Sequence, residues 1–314
     1  MLSRVANSIY WMTRYLERTE NVARFLDVNL HMMLDLKIEE NQQWEPLVIT
    51  TGDNELFYET YDKANKENVA EFLTFDKNNP NSIISSLKLA RENARSIREI
   101  ISSEMWEQVN KFYYKVLDAE RNGVPSDSIY EFYNMIKNEN HLFIGITDST
   151  MQHDEGWQFA QLGRHIERAD KTSRILDVKY FILLEKPDDV GTPLDNIQWA
   201  ALLTSASALE MYRKKFQLIS PHKIAQFLIL DRDFPRAVRY CIINVEQSLH
   251  SITGSVLGTF QNEAERKIGK LRAQLDFADI DEIIDSGLHE YLVDNFQVQL
   301  NDVGKAINDT FFDI

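Results

Sequence analysis

The sequence predicts an all-α protein: a helical bundle built from two duplicated halves related by a pseudo-two-fold axis. Three observations predict it. Breakers are scarce, with 11 Gly and 7 Pro in 314 residues, while 44% of the chain is hydrophobic, which favours long helices around a substantial core. Apolar residues recur at helical spacing, and no convincing alternating strand is found. Finally, fifteen residues, Arg14–Val28, return 150 positions later as Arg164–Val178, seven of them unchanged. Four of those seven are Arg or Glu. Packing alone would duplicate apolar positions and let charges drift, so the charges have a role.

The first helix is expected from about Leu2 to Leu36. Met12, Tyr15, Leu16, Val22, Ala23, Leu26 and Leu30 share a broad face at 100° per residue. Arg14, Glu17, Arg18, Asn21 and Arg24 fall on the opposite side. Glu45-Pro46 can open a helix, and Leu47–Thr51 reads as buried helix despite its β-prone composition. Breaks are expected at Lys77–Asn79, Arg121–Pro125 and Glu185–Thr192. Asn79-Pro80, Thr192-Pro193 and Ser220-Pro221 each set a capping side chain before a Pro suited to the first helical position. Met151–Trp157 reads as a turn, with Asp154 capping the second copy of the repeat helix. Trp106, Phe112 and Tyr113 recur at helical spacing as core, and Cys241 belongs to a buried helix beside Ile242 and Ile243.

The repeat does not stand alone. Pro80, Ile83, Leu87, Leu89, Arg91, Arg95 and Arg98 match Pro221, Ile224, Leu228, Leu230, Arg232, Arg236 and Arg239 at a constant offset of 141. A weaker match joins Trp44, Leu47 and Tyr58 to Trp199, Leu202 and Tyr212. Duplication of an ancestral unit accounts for these, giving halves at about 1–145 and 146–314, expected to pack about a pseudo-two-fold axis.

Bulk properties exclude several classes. A formal net charge of −15 opposes non-specific nucleic-acid binding. No apolar run approaches membrane-spanning length. The N-terminus lacks a signal-peptide layout, and the single Cys241 rules out an internal disulfide and a cysteine-based zinc cage. A cytoplasmic location is the expectation. No phosphate loop, dinucleotide fingerprint, nucleophile elbow or carboxylate–histidine metal motif occurs, so no cofactor and no metal are predicted.

Of 17 arginines, twelve fall at repeat-matched positions: Arg14, Arg18, Arg24, Arg91, Arg95 and Arg98, then Arg164, Arg168, Arg174, Arg232, Arg236 and Arg239. The planar guanidinium fork suits bidentate contact with carboxylate or phosphate. On a helix, Arg91, Arg95 and Arg98 would lie on one side. Three readings stand: solvated faces with local ion pairs, a buried Arg–carboxylate network that sets helix register, or a pocket for an anionic peptide or phosphate. In the third, Arg14, Arg18, Arg91, Arg95, Arg98, Arg164, Arg168, Arg232, Arg236 and Arg239 are the ligand-binding set. Glu17 and Glu167 are the candidate catalytic carboxylates, though neighbouring arginines would hold them ionised and make them poor bases.

The segment Leu2-Ser-Arg4 through Tyr10-Trp11, Arg14, Glu17-Arg18 and Glu20 resembles the start of the bacterial alpha-E family. So do Trp44–Leu47, Ala90–Arg98, Glu104–Asn110, Thr150–Phe159, Gly163–Ala169 and Phe234–Cys241. His153 stands where the family pattern has a basic residue such as Arg, and after about Gln261 little matches. The resemblance implies an all-helical fold and a genomic setting beside an ATP-grasp-like ligase and a transglutaminase-like cysteine peptidase, a system that makes, attaches or trims peptides. It implies no catalytic residue. Three functions follow as expectations: a non-enzymatic partner that docks to the ligase or peptidase and presents a peptide, an enzyme acting on a peptide or phosphorylated intermediate, or a purely structural oligomer.

Overall fold

The computed structural model describes residues 1–35, 40–182 and 193–313. Among these residues the structure is all-helical, with no strand. They form two compact units, Met1–Arg164 and His165–Ile314.

The first unit contains α1 (Ser3–Asp35), α2 (Glu40–Thr51), α3 (Asn54–Thr60), α4 (Lys66–Thr74), α5 (Ile83–Ser96), α6 (Ser103–Asn122) and α7 (Ile129–Thr150), then the start of α8 (Glu155–Ile182). Helix α1 packs against α5 and α7 and touches α2 and α4, while α6 bridges α5 and α7. From Val22 to Leu30 every residue of α1 is buried, as are Glu17, Glu20, Asn21 and Arg24. Of the readings left open, a wholly solvated charged face does not hold for α1: Glu17, Glu20, Arg24 and Asp27 are buried, Arg14 and Arg18 are half-buried, and Arg4 is exposed.

Local signals explain most boundaries. Ser82, Ser102 and Asn65 cap α5, α6 and α4 by accepting from a backbone N–H three residues on, satisfying donors the helix leaves open. Gly123, at φ 74°, ends α6 inside the expected Arg121–Pro125 break, and the Lys77–Asn79 break separates α4 from α5. Asp154 Oδ1 accepts from Gly156 N at 2.9 Å at the head of α8, as expected. Two expectations fail. Pro46 lies within α2 instead of opening it. Asn79 does not cap α5: its side chain accepts from Asn81 N at 2.8 Å and donates to the Phe72 carbonyl at 3.1 Å, a turn three residues ahead of the helix. Leu47–Thr51 is helical, with Val48 and Thr50 buried. Phe112 is core, but Trp106 and Tyr113 are only half-buried.

The second unit continues α8 and adds α9 (Pro193–Ser205), α10 (Leu209–Phe216), α11 (Pro221–Leu230), α12 (Val238–Thr253), α13 (Glu263–Asp276), α14 (Ile280–Asp285), a π-helical stretch (Glu290–Gln297) and α15 (Val298–Phe311). Helix α13 packs between α12 and α15, and α11 contacts α12 and α14. Pro221 occupies the first turn of α11 after Ser220, as expected, although the Ser220 side chain makes no cap bond. Cys241 and Ile242 are fully buried, and Ile243 is half-buried. Leu36, the Glu185–Thr192 break and the Thr192 cap lie outside the described residues.

Candidate functional site

In the first unit, one side of α1 meets α7 along a ladder of buried polar groups. Glu20, 0% exposed, accepts from Arg24 Nε at 2.7 Å and from the amide of Asn140, and lies 3.2 Å from His141 Nε2. Arg24 also approaches His141 Nε2 at 3.0 Å. One turn on, Lys137 donates to Asp27 Oδ2 at 2.7 Å. Tyr130 then donates to the Leu30 carbonyl at 3.3 Å. Burying a carboxylate is costly unless its oxygens are filled by charged or polar donors, and Glu20 and Asp27 meet that condition.

Above this ladder a small cavity opens, lined by Thr13, Glu17, Asn140, Thr147, Gln161 and Arg164 against an apolar wall that includes Phe143. About 20 Å³ is open to the centre of a water, enough for one molecule. Two of the residues expected to carry a site, Glu17 and Arg164, thus meet at one place. Glu17 is 1% exposed and accepts from Asn21 Nδ2 at 3.2 Å. Arg164 donates to Gln161 Oε1. Gly163 makes this approach possible: a Cβ there would lie 2.3 Å from the Tyr10 carbonyl oxygen, a backbone atom that cannot turn aside.

The other expected arginines of this unit serve different surroundings. The Arg14 guanidinium lies 4.7 Å from the Trp11 ring centre and donates to Tyr10 Oη at 3.3 Å. Arg18 donates to Asn81 Oδ1 at 2.6 Å. Arg91 donates to Asn110 Oδ1 at 2.7 Å and sits within 5.7 Å of the ring centres of Trp106, Tyr113 and Tyr114, a cation–π cluster. Arg95 is exposed and pairs with Glu92 at 2.5 Å. Arg98, also exposed, lies beyond the end of α5, so it does not continue the face expected with Arg91 and Arg95.

The second unit has its own network. Arg174 Nε binds both oxygens of Asp170, at 2.9 and 3.0 Å, and Lys171 approaches Asp170 at 3.2 Å and Glu167 at 3.8 Å. Burial raises the Asp170 carboxyl, but Lys171 and Arg174 outweigh it and hold the group below its ordinary value. Glu167 is 1% exposed. Arg168 donates to the Pro235 carbonyl at 3.4 Å, and Thr172 to the Arg236 carbonyl at 2.9 Å. Asp177 accepts from or shares a proton with His289 Nδ1 at 2.7 Å, and burial raises its carboxyl.

Asp276 gathers three guanidiniums: Arg239 at 2.8 Å, Arg232 at 3.0 Å, and Arg272. Arg272 is also 2.6 Å from Glu246. Burial pushes Asp276 up, yet Arg239, Arg232 and Arg272 bring it below its ordinary value. Asp276, Glu246, Arg272, Asn140, His141 and Lys137 were not singled out from sequence. Apart from Arg272 and Asp276, which pair at i,i+4, their partners lie far along the chain, and no repeat marks them. Glu20 and Asp170 did carry a signal: each precedes its Arg by four residues in both copies of the repeat.

Together these features define a helical protein in which part of the recurrent charge, Glu17, Glu20, Arg24, Glu167, Arg168 and Arg236, is buried. A family model for alpha-E, described as a predicted alpha-helical domain with a conserved ER motif, matches residues 1–312, and the chain belongs to that family. Glu-Arg pairs stand at 17–18 and 167–168 within the repeat, and also at 120–121 and 265–266. Similar curated proteins include uncharacterised proteins of Mycobacterium bovis and Mycobacterium tuberculosis, 22% identical over 331 residues. The match covers 98% of this chain and 36% of each relative, so the chain spans about a third of their length. No solved structure matches. Among the described residues, no helix is long and apolar enough to cross a membrane.

Proposed function

We propose that this chain is a non-enzymatic helical partner in a bacterial peptide-ligation or peptide-processing system, acting in the cytoplasm beside an ATP-grasp-like ligase and a transglutaminase-like peptidase. The observation that carries the non-enzymatic reading is the state of the repeated charges. Arg24 is engaged by Glu20, Arg174 by Asp170 and Arg239 by Asp276. Glu17 and Glu167 are nearly sealed from solvent. Such a network specifies register in a helix bundle and leaves little of itself to meet a substrate. The partners' identities rest on the family resemblance. The length of the mycobacterial relatives supports a companion role: there the matched region shares a chain with other segments.

The same reading takes the two halves, about 1–145 and 146–314, as copies of one ancestral unit related by a pseudo-two-fold axis. The repeated Glu/Asp–Arg pairs at 20–24 and 170–174 support it.

Co-expression with the ligase and the peptidase, followed by size-exclusion chromatography with light scattering, tests the proposal. A stoichiometric complex is expected, together with ligase or peptidase turnover that rises when this chain is added. Turnover of a peptide substrate by the isolated chain, lost in Glu17→Gln, would overturn it. A second reading, binding of an anionic peptide or phosphate, is favoured by Arg95 and Arg232, whose side chains are 63% and 59% exposed. Phosphate titration of the wild type against Arg232→Ala tests that reading.

A further inference from the structure

The connection between α6 and α7 holds two adjacent groups that can react with each other. Asn122 is the last residue of α6, and Gly123 follows it at φ 74°, turning the chain out of the helix. No other Asn-Gly pair occurs in the sequence, and both residues are exposed. A side-chain amide next to a backbone nitrogen is an electrophile beside a nucleophile, brought together by the chain itself.

Folded structure normally keeps such a pair apart, by tying the carboxamide or by committing the next N–H to a ladder. Neither happens at 122. Among the described residues the Asn122 carboxamide makes no hydrogen bond. The Gly123 N–H meets no carbonyl, whereas Gly254, at the matching position after α12, donates to the His250 carbonyl at 2.9 Å. Space is open as well: a Cβ at Gly123 would touch nothing within 4 Å, so nothing hinders approach to its nitrogen.

The two Asn-Ser pairs show the contrast. Asn7-Ser8 lies within α1, where the Ser8 N–H belongs to the helical ladder. At Asn81-Ser82 the carboxamide is tied at both ends, accepting from Arg18 at 2.6 Å and donating to Asp53 at 2.7 Å, and Ser82 N donates to the Asn79 carbonyl at 3.2 Å.

We propose that Asn122 is a site of spontaneous deamidation in the folded protein. The Gly123 nitrogen, on losing its proton, attacks Asn122 Cγ. The new N–Cγ bond closes a cyclic imide, the Cγ–Nδ2 bond breaks, and ammonia leaves with the proton returned from solvent. Water then opens the imide at either carbonyl, giving aspartate or isoaspartate. Water is the co-reactant, and nothing is oxidised or reduced. Either product sets a negative charge at the C-terminal end of α6, where the helix already concentrates negative potential. Isoaspartate also lengthens the main chain between α6 and α7 by one methylene. This inference stands apart from the partner reading above.

Incubation of the folded chain at mildly alkaline pH, followed by peptic digestion in acid and mass-spectrometric peptide mapping, tests it. The same chain in urea and the Asn122→Gln variant, whose longer side chain closes a ring far more slowly, stand beside it. Conversion at 122 is expected in the folded chain at a rate within about tenfold of that in urea, rising with pH and releasing ammonia, while Asn7 and Asn81 stay intact. Asn122→Gln is expected to abolish the isoaspartate signal of the folded chain without changing its far-UV circular dichroism, since Gln is well suited to a helix end. An Asn122 that stays intact in the folded chain, whether or not it reacts in urea, overturns the proposal. So does earlier reaction at Asn7 or Asn81, or an isoaspartate signal that survives in Asn122→Gln.

Discussion

Residues 83–98 and 224–239 match in sequence but differ in structure. In the first unit α5 runs unbroken from Ile83 to Ser96, so Arg91 and Arg95 are helical. In the second, α11 stops at Leu230, and Arg232 and Arg236 lie in the turn that leads to α12 at Val238. The cause is local. Pro235 stands where the first copy has Ala94, and proline within a helix lacks a donor and clashes with the carbonyl four residues back. Asp231, where the first copy has Ala90, then captures the N–H groups of Asp233 and Phe234 at 2.9 and 2.8 Å. A repeat of arginines therefore does not by itself repeat a surface. With the two substitutions Arg232 and Arg236 leave the helix, and Arg232 joins Arg239 at Asp276.

The sharpest way to break this difference is to import the breaker. Ala94→Pro places the second copy's proline in the buried interior of α5, which packs on α1. The expected loss is about 3 kcal/mol or more, measured by urea unfolding. A smaller effect would mean that α5 tolerates the broken geometry of its counterpart. Asp231→Ala removes the other half of the cause. It abandons two backbone donors and the Lys215 contact at 2.6 Å, and should cost about 2 kcal/mol. Asp231→Asn keeps an acceptor for the turn and should cost less in the same assay.

Acid titration addresses the network that the turn creates. Asp276 has its folded pKa lowered against burial by Arg239, Arg232 and Arg272. Its contribution is therefore present above the unfolded value of about 3.9 and is lost as pH falls through the lower folded value. Asp276→Asn should lower the melting temperature at neutral pH, by an amount corresponding to about 1–2 kcal/mol, and converge on the wild type as the pH drops below that range. Parallel curves with a constant gap would show that the charge of Asp276 is not what the arginines recognise.

Helix type was legible in the sequence because periodicity and caps are local: Ser220-Pro221 opens α11, Asp154 caps the head of α8, and the Arg121–Pro125 break holds Gly123. Pro46 and Asn79 were misread because a Pro-based start signal resembles a proline inside a helix and an Asx turn. Burial of an Arg–carboxylate network was one reading of the repeat, but which helix covers Glu20, Arg24 and Asp27 was not legible. An apolar stripe shows which side of a helix must be buried, but not that α7 also covers the other side with Asn140, His141 and Lys137, more than a hundred residues away. The Asp276 node was hidden for the same reason: Arg232 and Arg239 reach an acid 44 and 37 positions further on.

The smallest expected effect compares two matched arginines directly. Arg95 is 63% exposed in its side chain and pairs with Glu92 at i,i+3, a contact worth about 0.2–0.5 kcal/mol. Its counterpart Arg236 is 7% exposed, so truncation there removes packing and leaves buried neighbours short of a partner. Arg95→Ala should shift stability by no more than about 0.5 kcal/mol, and Arg236→Ala by several times as much, measured by denaturant unfolding of the two variants in parallel. The exposed arginine should respond to salt screening, while the buried one should not. Equal losses would mean that the turn at Pro235 has not changed the role of the arginine that follows it, and the repeat could then be read as one surface made twice.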